Sequence, residues 1–341
     1  MSETILSGLK LKEEELWEET LRPLNLEEFI GQEKIKKNLS VFIKAAKGRK
    51  QVLDHVLFSG PPGLGKTTLA FIIAREMGAP LKVISGPAVE KPGDLAAVLT
   101  NLDEKGILFI DEIHRLHPAI EEILYSAMED FRLDIIVGQG PGAKTVKISL
   151  KPFTLIGATT RAGLITPPLY GRFGIILRMD YYDIESLKKI AERTARILNI
   201  KISEGASYEI GKRARGTPRV VNRLVKRIRD FVEVEGKNSI ELEETLKALE
   251  VMDVDEFGLE EMDRRILQVV IENFNGGPVG IKSLASSIGE DKGTLEDLYE
   301  PFLVQSGFLI RTGRGRVATK KAYEHLGYKF DKTSQGNLFN E

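Results

Sequence analysis

Gly60-Pro-Pro-Gly63-Leu-Gly65-Lys66-Thr67 has the residue types and spacing of a phosphate-cradling loop, Gly-x-x-x-x-Gly-Lys-Thr. Gly63 and Gly65 let the backbone bend so that several N–H groups point at one phosphate. The helix predicted to follow adds its positive N-terminal end. Lys66 brings a mobile charge for the terminal phosphates, and the Thr67 hydroxyl suits a Mg²⁺ ion. A second chemical pair is Asp111-Glu112, which closes the apolar run Ile107-Leu-Phe-Ile110. At the C-terminal end of a buried strand, where open α/β sheets place ligands, Asp111 can hold Mg²⁺ through its water shell. Glu112 can orient and deprotonate an attacking water. Transfer of a γ-phosphoryl group also needs positive charge on the transition state. Arg172, in a loop between strands, and Arg219, opening a helix, are the candidates. By pattern alone each is as readily a surface arginine. His114 and His117 read as structural, because the phosphate chemistry already has its metal ligands.

The elements that must position these groups follow from periodicity. His55–Phe58 reads as a buried strand before the loop, and Leu69, Phe71, Ile72 and Ile73 as a helix after it, stopped by Gly78. A helix is predicted from Ile35 to Ala46 with Gly48 as its end. Strands are predicted at 81–84, 106–112, 153–158 and 174–179, and helices at 95–102 and 118–128. Strands alternating with helices imply a parallel sheet with helices on both faces. Residues 132–149 break this rhythm: two alternating strands flank Gly138-Gln-Gly-Pro-Gly142, a projecting hairpin. After Tyr181 only helical patterns follow, then from about residue 256 three helical stripes and a glycine-rich loop between two short strands, which suggests a winged helix. Thr294 with Asp297 resembles a capping box.

The chain has 341 residues, no cysteine and a net charge of −1. These values suggest two or three domains, exclude disulfides and thiolate metal sites, and suit a reducing cytoplasm. No apolar run is long enough to span a membrane. Balanced charge means that any nucleic-acid surface must come from local segregation. Two acid-free stretches fit: Lys212–Arg229, read as a solvated helix face with one nucleotide contact, and Arg311–Lys321, whose Arg311, Arg314 and Arg316 suit DNA phosphates or base edges.

Taken together, Gly60-Pro-Pro-Gly-Leu-Gly-Lys-Thr-Thr68, Asp111-Glu-Ile-His-Arg-Leu116, the hairpin, Leu155-Ile-Gly-Ala-Thr-Thr-Arg-Ala-Gly163, Arg172-Phe-Gly, Gly216-Thr-Pro-Arg219 and Gly307-Phe-Leu-Ile-Arg311 resemble the RuvB-type Holliday junction branch-migration ATPases of the AAA+ superfamily. The resemblance implies a flexible arm over residues 1–20 and an α/β ATPase domain over 21–180 that carries the hairpin at 132–149. It further implies a helical lid over 181–255, a winged helix over 256–330 and a flexible tail over 331–341. It implies ATP and Mg²⁺ as cofactors, with Thr67 and Asp111 on the metal. Leu21, Arg22 and Tyr182 would enclose the adenine, Thr68 would join the phosphate loop, and Glu129, Asp130 and Phe131 would border the nucleotide. Thr160, with Thr159 as the alternative, would sense the γ-phosphate. Arg172 would act on the next subunit's ATP and Arg219 in cis. Lys292, Arg311, Arg314 and Arg316 would meet DNA. Hexameric rings would pump duplex DNA at Holliday junctions with RuvA on the hairpin and RuvC in the wider complex. Three departures stand out: Gly313 for the family's usual proline, Lys292 for a common arginine, and Tyr170-Gly171 before Arg172. Beyond the family, Gln335-Gly-Asn-Leu-Phe339 resembles a sliding-clamp-binding peptide. A clamp-loader subunit and an ATP-gated DNA-binding regulator are the alternative functions.

Overall fold

In a computed structural model of the chain, residues 20–137 and 144–330 are described. The expected arm, the hairpin tip and the clamp-like tail peptide lie outside them. The described chain falls into two compact units, one from residues up to 190 together with 217–222, the other from 191–216 and 223 onward.

The first unit contains β1 (Val56–Ser59), β2 (Leu81–Ser85), β3 (Ile107–Asp111), β4 (Arg132–Val137), β5 (Lys144–Ser149), β6 (Thr154–Thr159) and β7 (Ile175–Arg178). Five strands form a parallel sheet in the order β2-β3-β6-β1-β7. β1 and β6 are buried along their whole length, and β3 up to its final Asp111, as strands covered on both faces must be. The register places Val56 beside both Ile156 and Ile175, so β1, β6 and β7 deliver their C-terminal residues to one edge. Helices α1 (Glu33–Arg49), α2 (Lys66–Met77), α3 (Pro92–Thr100) and α4 (Pro118–Asp130) supply apolar stripes against it. In α1 the stripe is Ile35, Leu39, Ile43 and Ala46. α1 runs past Gly48, the expected stop, and ends where Lys50 turns left-handed and returns its N–H to Ala46 and Lys47. An exposed lysine closes the helix as glycine would have. β4 and β5 pair only with each other, from Arg132↔Ser149 to Val137↔Lys144, as the alternation predicts.

The second unit holds most of the lid helices 184–197, 204–213, 218–234 and 242–251, with a two-residue parallel ladder, Lys201–Ile202 on Ser239–Ile240, too short to leave a pattern. The helix Pro218–Val234 begins in the first unit and ends in the second. Helices 261–274 and 281–288 follow, then a helical stretch with a π turn over 295–299, and the wing strands Leu309–Thr312 and Gly315–Ala318. The expected Thr294–Asp297 capping box is not used. Asp291 caps instead, its Oδ1 accepting from the N–H groups of Gly293 and Thr294. The basic run from Lys212 finds its acids elsewhere in this unit. Arg215, left-handed at φ 56°, bonds the fully buried Asp263 at 3.0 Å and stacks 4.3 Å over Phe302. Arg223 pairs with Glu260. Lid and winged-helix sequence are thereby tied within one unit.

Gly60 leaves β1 at φ 143°, and a Cβ there would lie 2.5 Å from the Met179 carbonyl oxygen. Gly60→Ala is expected to cost about 2 kcal/mol or more, read as a lower urea midpoint with unchanged slope.

Candidate active site

The phosphate loop begins where β1 ends. Gly60, Gly63 and Gly65 all have positive φ, 143°, 78° and 99°, so the loop can wrap its N–H groups inward. Lys66 opens α2 and is only 7% exposed. Its ammonium donates to the carbonyls of Gly60 and Pro61, each at 2.8 Å. Burial pulls its pKa down to about 8, against the opposing pull of Glu112 and Asp111, with Arg219 adding to the drop. Arg219 therefore stands near enough to act on the lysine's charge, and its backbone N–H donates to the Gly63 carbonyl at 3.4 Å.

Asp111 ends β3 beside this loop, and burial raises its pKa. Glu112 is left-handed at φ 49° and its N–H donates to Asp111 Oδ1 at 3.0 Å. Thr160, just past the end of β6, donates its hydroxyl to Glu112 Oε2 at 3.0 Å. Thr159 is fully buried and accepts the Arg161 N–H at 3.0 Å, so the half-exposed Thr160 is the better placed of the two for a ligand. His114, read from sequence as structural, touches the same carboxylate oxygen at 3.1 Å.

Beside the loop, a third group of side chains forms a wall. Leu21 is buried, and the Arg22 guanidinium lies 4.7 Å over Phe71, which is a platform rather than core. Tyr182 donates its phenol to the Leu64 carbonyl at 3.0 Å, and burial pushes its pKa up. Two residues the sequence reading missed complete the wall. Gln32 donates to the Asp180 carbonyl at 2.5 Å, and the Phe29 ring closes on Gly65. The Gly31-Gln32 pair before a helical stripe, both at positive φ, was the available hint.

Arg172 is elsewhere. It donates to the carbonyls of Pro168 and Tyr125 at 2.8 and 3.3 Å and to Glu129 at 3.1 Å, and stacks 4.6 Å over the Tyr125 ring. The Tyr125 hydroxyl lies 3.1 Å from that of Thr166, which donates to the buried Glu121. Gly171 has an ordinary helical φ of −66°, so this departure does not loosen the loop. Arg172, Glu129, Asp130 and Arg132 line a cleft of about 430 Å³. Phe131 packs against His55 and Phe153, which precede β1 and β6. That is the N-terminal end of the sheet. Glu129, Asp130 and Phe131 therefore lie a strand length of roughly 13 Å from the chain's own phosphate loop, which leaves the opposite end.

Three family profiles match in tandem: the Holliday junction DNA helicase RuvB P-loop domain over residues 21–179, the RuvB AAA lid domain over 182–255, and the RuvB C-terminal winged helix domain over 256–327. The chain belongs to the RuvB family. It is 59% identical over 317 residues to the Holliday junction branch migration complex subunit RuvB of Salinibacter ruber, covering 93% of this chain and 91% of that one. It is 55% identical to the Clostridium kluyveri subunit of the same name, covering 99% and 95%. The solved Thermotoga maritima RuvB Holliday junction branch migration motor superposes with a TM-score of 0.85 at 51% identity, over 92% of this chain and all of that one. The RuvB fold class follows, a P-loop AAA+ ATPase with lid and winged helix.

In this RuvB-family wing the expected DNA residues divide. Arg316 is 8% exposed and bidentate to Glu300 at 2.9 and 2.8 Å, with Glu296 at 3.4 Å. Its assignment to DNA is corrected: a guanidinium consumed by two buried-side carboxylates holds the wing in place. Arg311 shares the same glutamates but remains exposed. Lys292 lies 3.8 Å from Glu296 and is exposed as well. Arg314 is exposed, and among the described residues it has no ion-pair partner. Gly313 meets nothing within 4 Å and needs no special φ, so a proline's absence there removes no contact.

Two outcomes follow. Lys66 is cationic below pH 8 and neutral above it, so the affinity for a nonhydrolysable ATP analogue should fall as pH rises past 8, approaching about tenfold per pH unit. Calorimetry across that range checks it. Arg316→Ala leaves Glu300 with Arg311 alone and should destabilise the chain by about 1–3 kcal/mol, whereas Arg314→Ala should leave the urea midpoint unchanged.

Proposed function

We propose that this chain hydrolyses ATP at a seam between two of its own copies and uses the resulting motion to drive branch migration of Holliday junctions, as a hexameric ring working with RuvA in the cytoplasm. The observation that carries this reading is the separation of charges. Lys66, Arg219, Asp111 and Glu112 gather at one end of the sheet, while Arg172 is anchored near the other, on Tyr125 and Glu129. An arginine so placed suits a neighbour's γ-phosphate and not its own.

Leu21, Arg22 and Tyr182 hold the base. Gly63, Gly65, Lys66, Thr67 and Thr68 hold the phosphates, and Lys66 exchanges the carbonyls of Gly60 and Pro61 for phosphate oxygens. The Thr67 hydroxyl and the Asp111 carboxylate are the hard oxygen donors that Mg²⁺ prefers. Among the described residues no cluster of three His, Cys, Asp or Glu could hold a metal alone, which fits an ion that arrives with phosphates and waters. When bound, Mg²⁺ neutralises charge developing on the β- and γ-oxygens. Glu112 takes the proton of the attacking water. Thr160 senses the γ-phosphate, Arg219 contacts it in cis, and Arg172 contacts it in trans after leaving Glu129. Glu129, Asp130 and Phe131 then border the neighbour's nucleotide. Lys292, Arg311 and Arg314 meet duplex phosphates, with Arg316 supporting the wing. The hairpin 132–149 docks RuvA, and RuvC joins the wider complex. Among the described residues no helix is long and apolar enough to cross a membrane. A clamp-loader subunit would not need the winged helix and hairpin that accompany this ATPase, and an ATP-gated regulator would give sequence-specific footprints in place of junction dissociation.

The test is ATP-dependent dissociation of a synthetic four-way junction, with and without RuvA. Arg172→Ala should bind ATP normally but lose hydrolysis by about 10³-fold or more. Adding Lys66→Ala subunits, with intact Arg172 and no nucleotide, should restore part of the turnover. An unrestored mixture would overturn the trans assignment.

A further inference from the structure

Glu112 opens a single 3-10 turn, Ile113–Arg115, which folds the next side chains back over the end of β6. His114 is carried there and its side chain is 7% exposed. Its Nδ1 lies 3.1 Å from Glu112 Oε2 and 2.9 Å from Thr159 Oγ1. Thr159 is itself fixed by the Arg161 N–H. An ionised carboxylate oxygen only accepts, so Nδ1 carries the proton here and donates it to Glu112. The Thr160 hydroxyl donates to the same Oε2. Two donors therefore pin one oxygen of the carboxylate, and the other oxygen, Oε1, is the one that can turn to a water.

The two donors are not equivalent. Thr160 has one hydroxyl proton, and it cannot serve Glu112 and a γ-phosphate together. His114 is buried behind the carboxylate, its Nδ1 held between Glu112 Oε2 and the sheet residue Thr159, and no step of the proposed hydrolysis asks it to change partners. We propose that His114 is a positioning residue for hydrolysis, keeping Glu112 aimed after the nucleotide draws Thr160 away. The proposal rests on the reading of Glu112 as the base. It gives Thr160 a second consequence: by changing partners it leaves the carboxylate held by the imidazole alone, so that nucleotide sensing and base orientation share one hydrogen.

Steady-state ATP hydrolysis by the full chain tests this. In His114→Ala, kcat should fall about tenfold or more with KM changed less than about twofold, the split expected when an interaction serves the transition state and not ground-state binding. In His114→Asn the amide N–H reaches the place of Nδ1–H, and kcat should return to within about threefold of the parent. In His114→Gln the amide occupies the place of Nε2, and kcat should stay low. A structural role alone would not separate Asn from Gln. If His114→Ala fails to fold, as judged by its thermal midpoint and ADP binding, the Asn and Gln pair decides. Unchanged kcat in His114→Ala, or equal rates for Asn and Gln, would overturn the proposal. Glu112→Gln run in parallel keeps the two claims apart. If it hydrolyses ATP at the parent rate, the base assignment fails; if it is inactive while His114→Ala is normal, only the role of His114 fails.

Discussion

A cation held in a nearly dry socket is the constraint on which the catalytic half of this protein depends. Taking an ammonium from water is costly unless ligands replace the solvent. Lys66 meets that cost with two carbonyls of its own loop, which exist at that spot only because Gly60, Gly63 and Gly65 take up positive φ. The loop in turn is held by the sheet: Gly60 donates to the Thr159 carbonyl, and Met179 closes from β7. The same edge receives Asp111, Glu112, Thr160 and Arg219. Fixing one buried charge thus fixes the surroundings of every group proposed to act on a triphosphate, because each reaches the site from the C-terminal end of a strand or the start of a helix.

The rest of the apparatus is defined by distance from that edge. Parallel strands have two unlike ends, and α4 runs away from the phosphate loop to the other one. Arg172, Glu129 and Phe131 belong there. A single subunit therefore carries the socket for a nucleotide and, remote from it, an arginine stacked on Tyr125. In the proposed ring of head-to-tail copies, each such arginine would meet a neighbour's socket.

Most of this was legible in the sequence where one local pattern determined the outcome. The phosphate loop, the acids ending an apolar strand, the hairpin limits and the wing strands follow from glycine spacing and period-two or helical periodicity. What was not legible depended on partners distant in the chain. Arg316 reads like Arg311 and Arg314 until Glu296 and Glu300, four apart on one helical face, close on it. The basic run at Lys212–Arg229 looks unpaired until Asp263 and Glu260 arrive from the next domain. Phe131 follows Glu129 and Asp130 in sequence, yet packs on His55 and Phe153 at the end of the sheet opposite the chain's own phosphate loop. For Arg316, the basic run and Phe131 the deciding term was a charge or ring supplied from well outside the local stretch, whereas His114 meets Glu112 only because a 3-10 turn folds it back.

The helix Pro218–Val234 has a mechanical meaning. Its first turn carries Arg219 against the Gly63 carbonyl, and one turn later Arg223 grips Glu260 at the head of the winged helix. Seventeen residues of helix make a rod about 25 Å long. Over that length the helix is continuous, so the residue that bonds the phosphate loop and the residue that pairs with Glu260 are carried by one hydrogen-bonded element four positions apart.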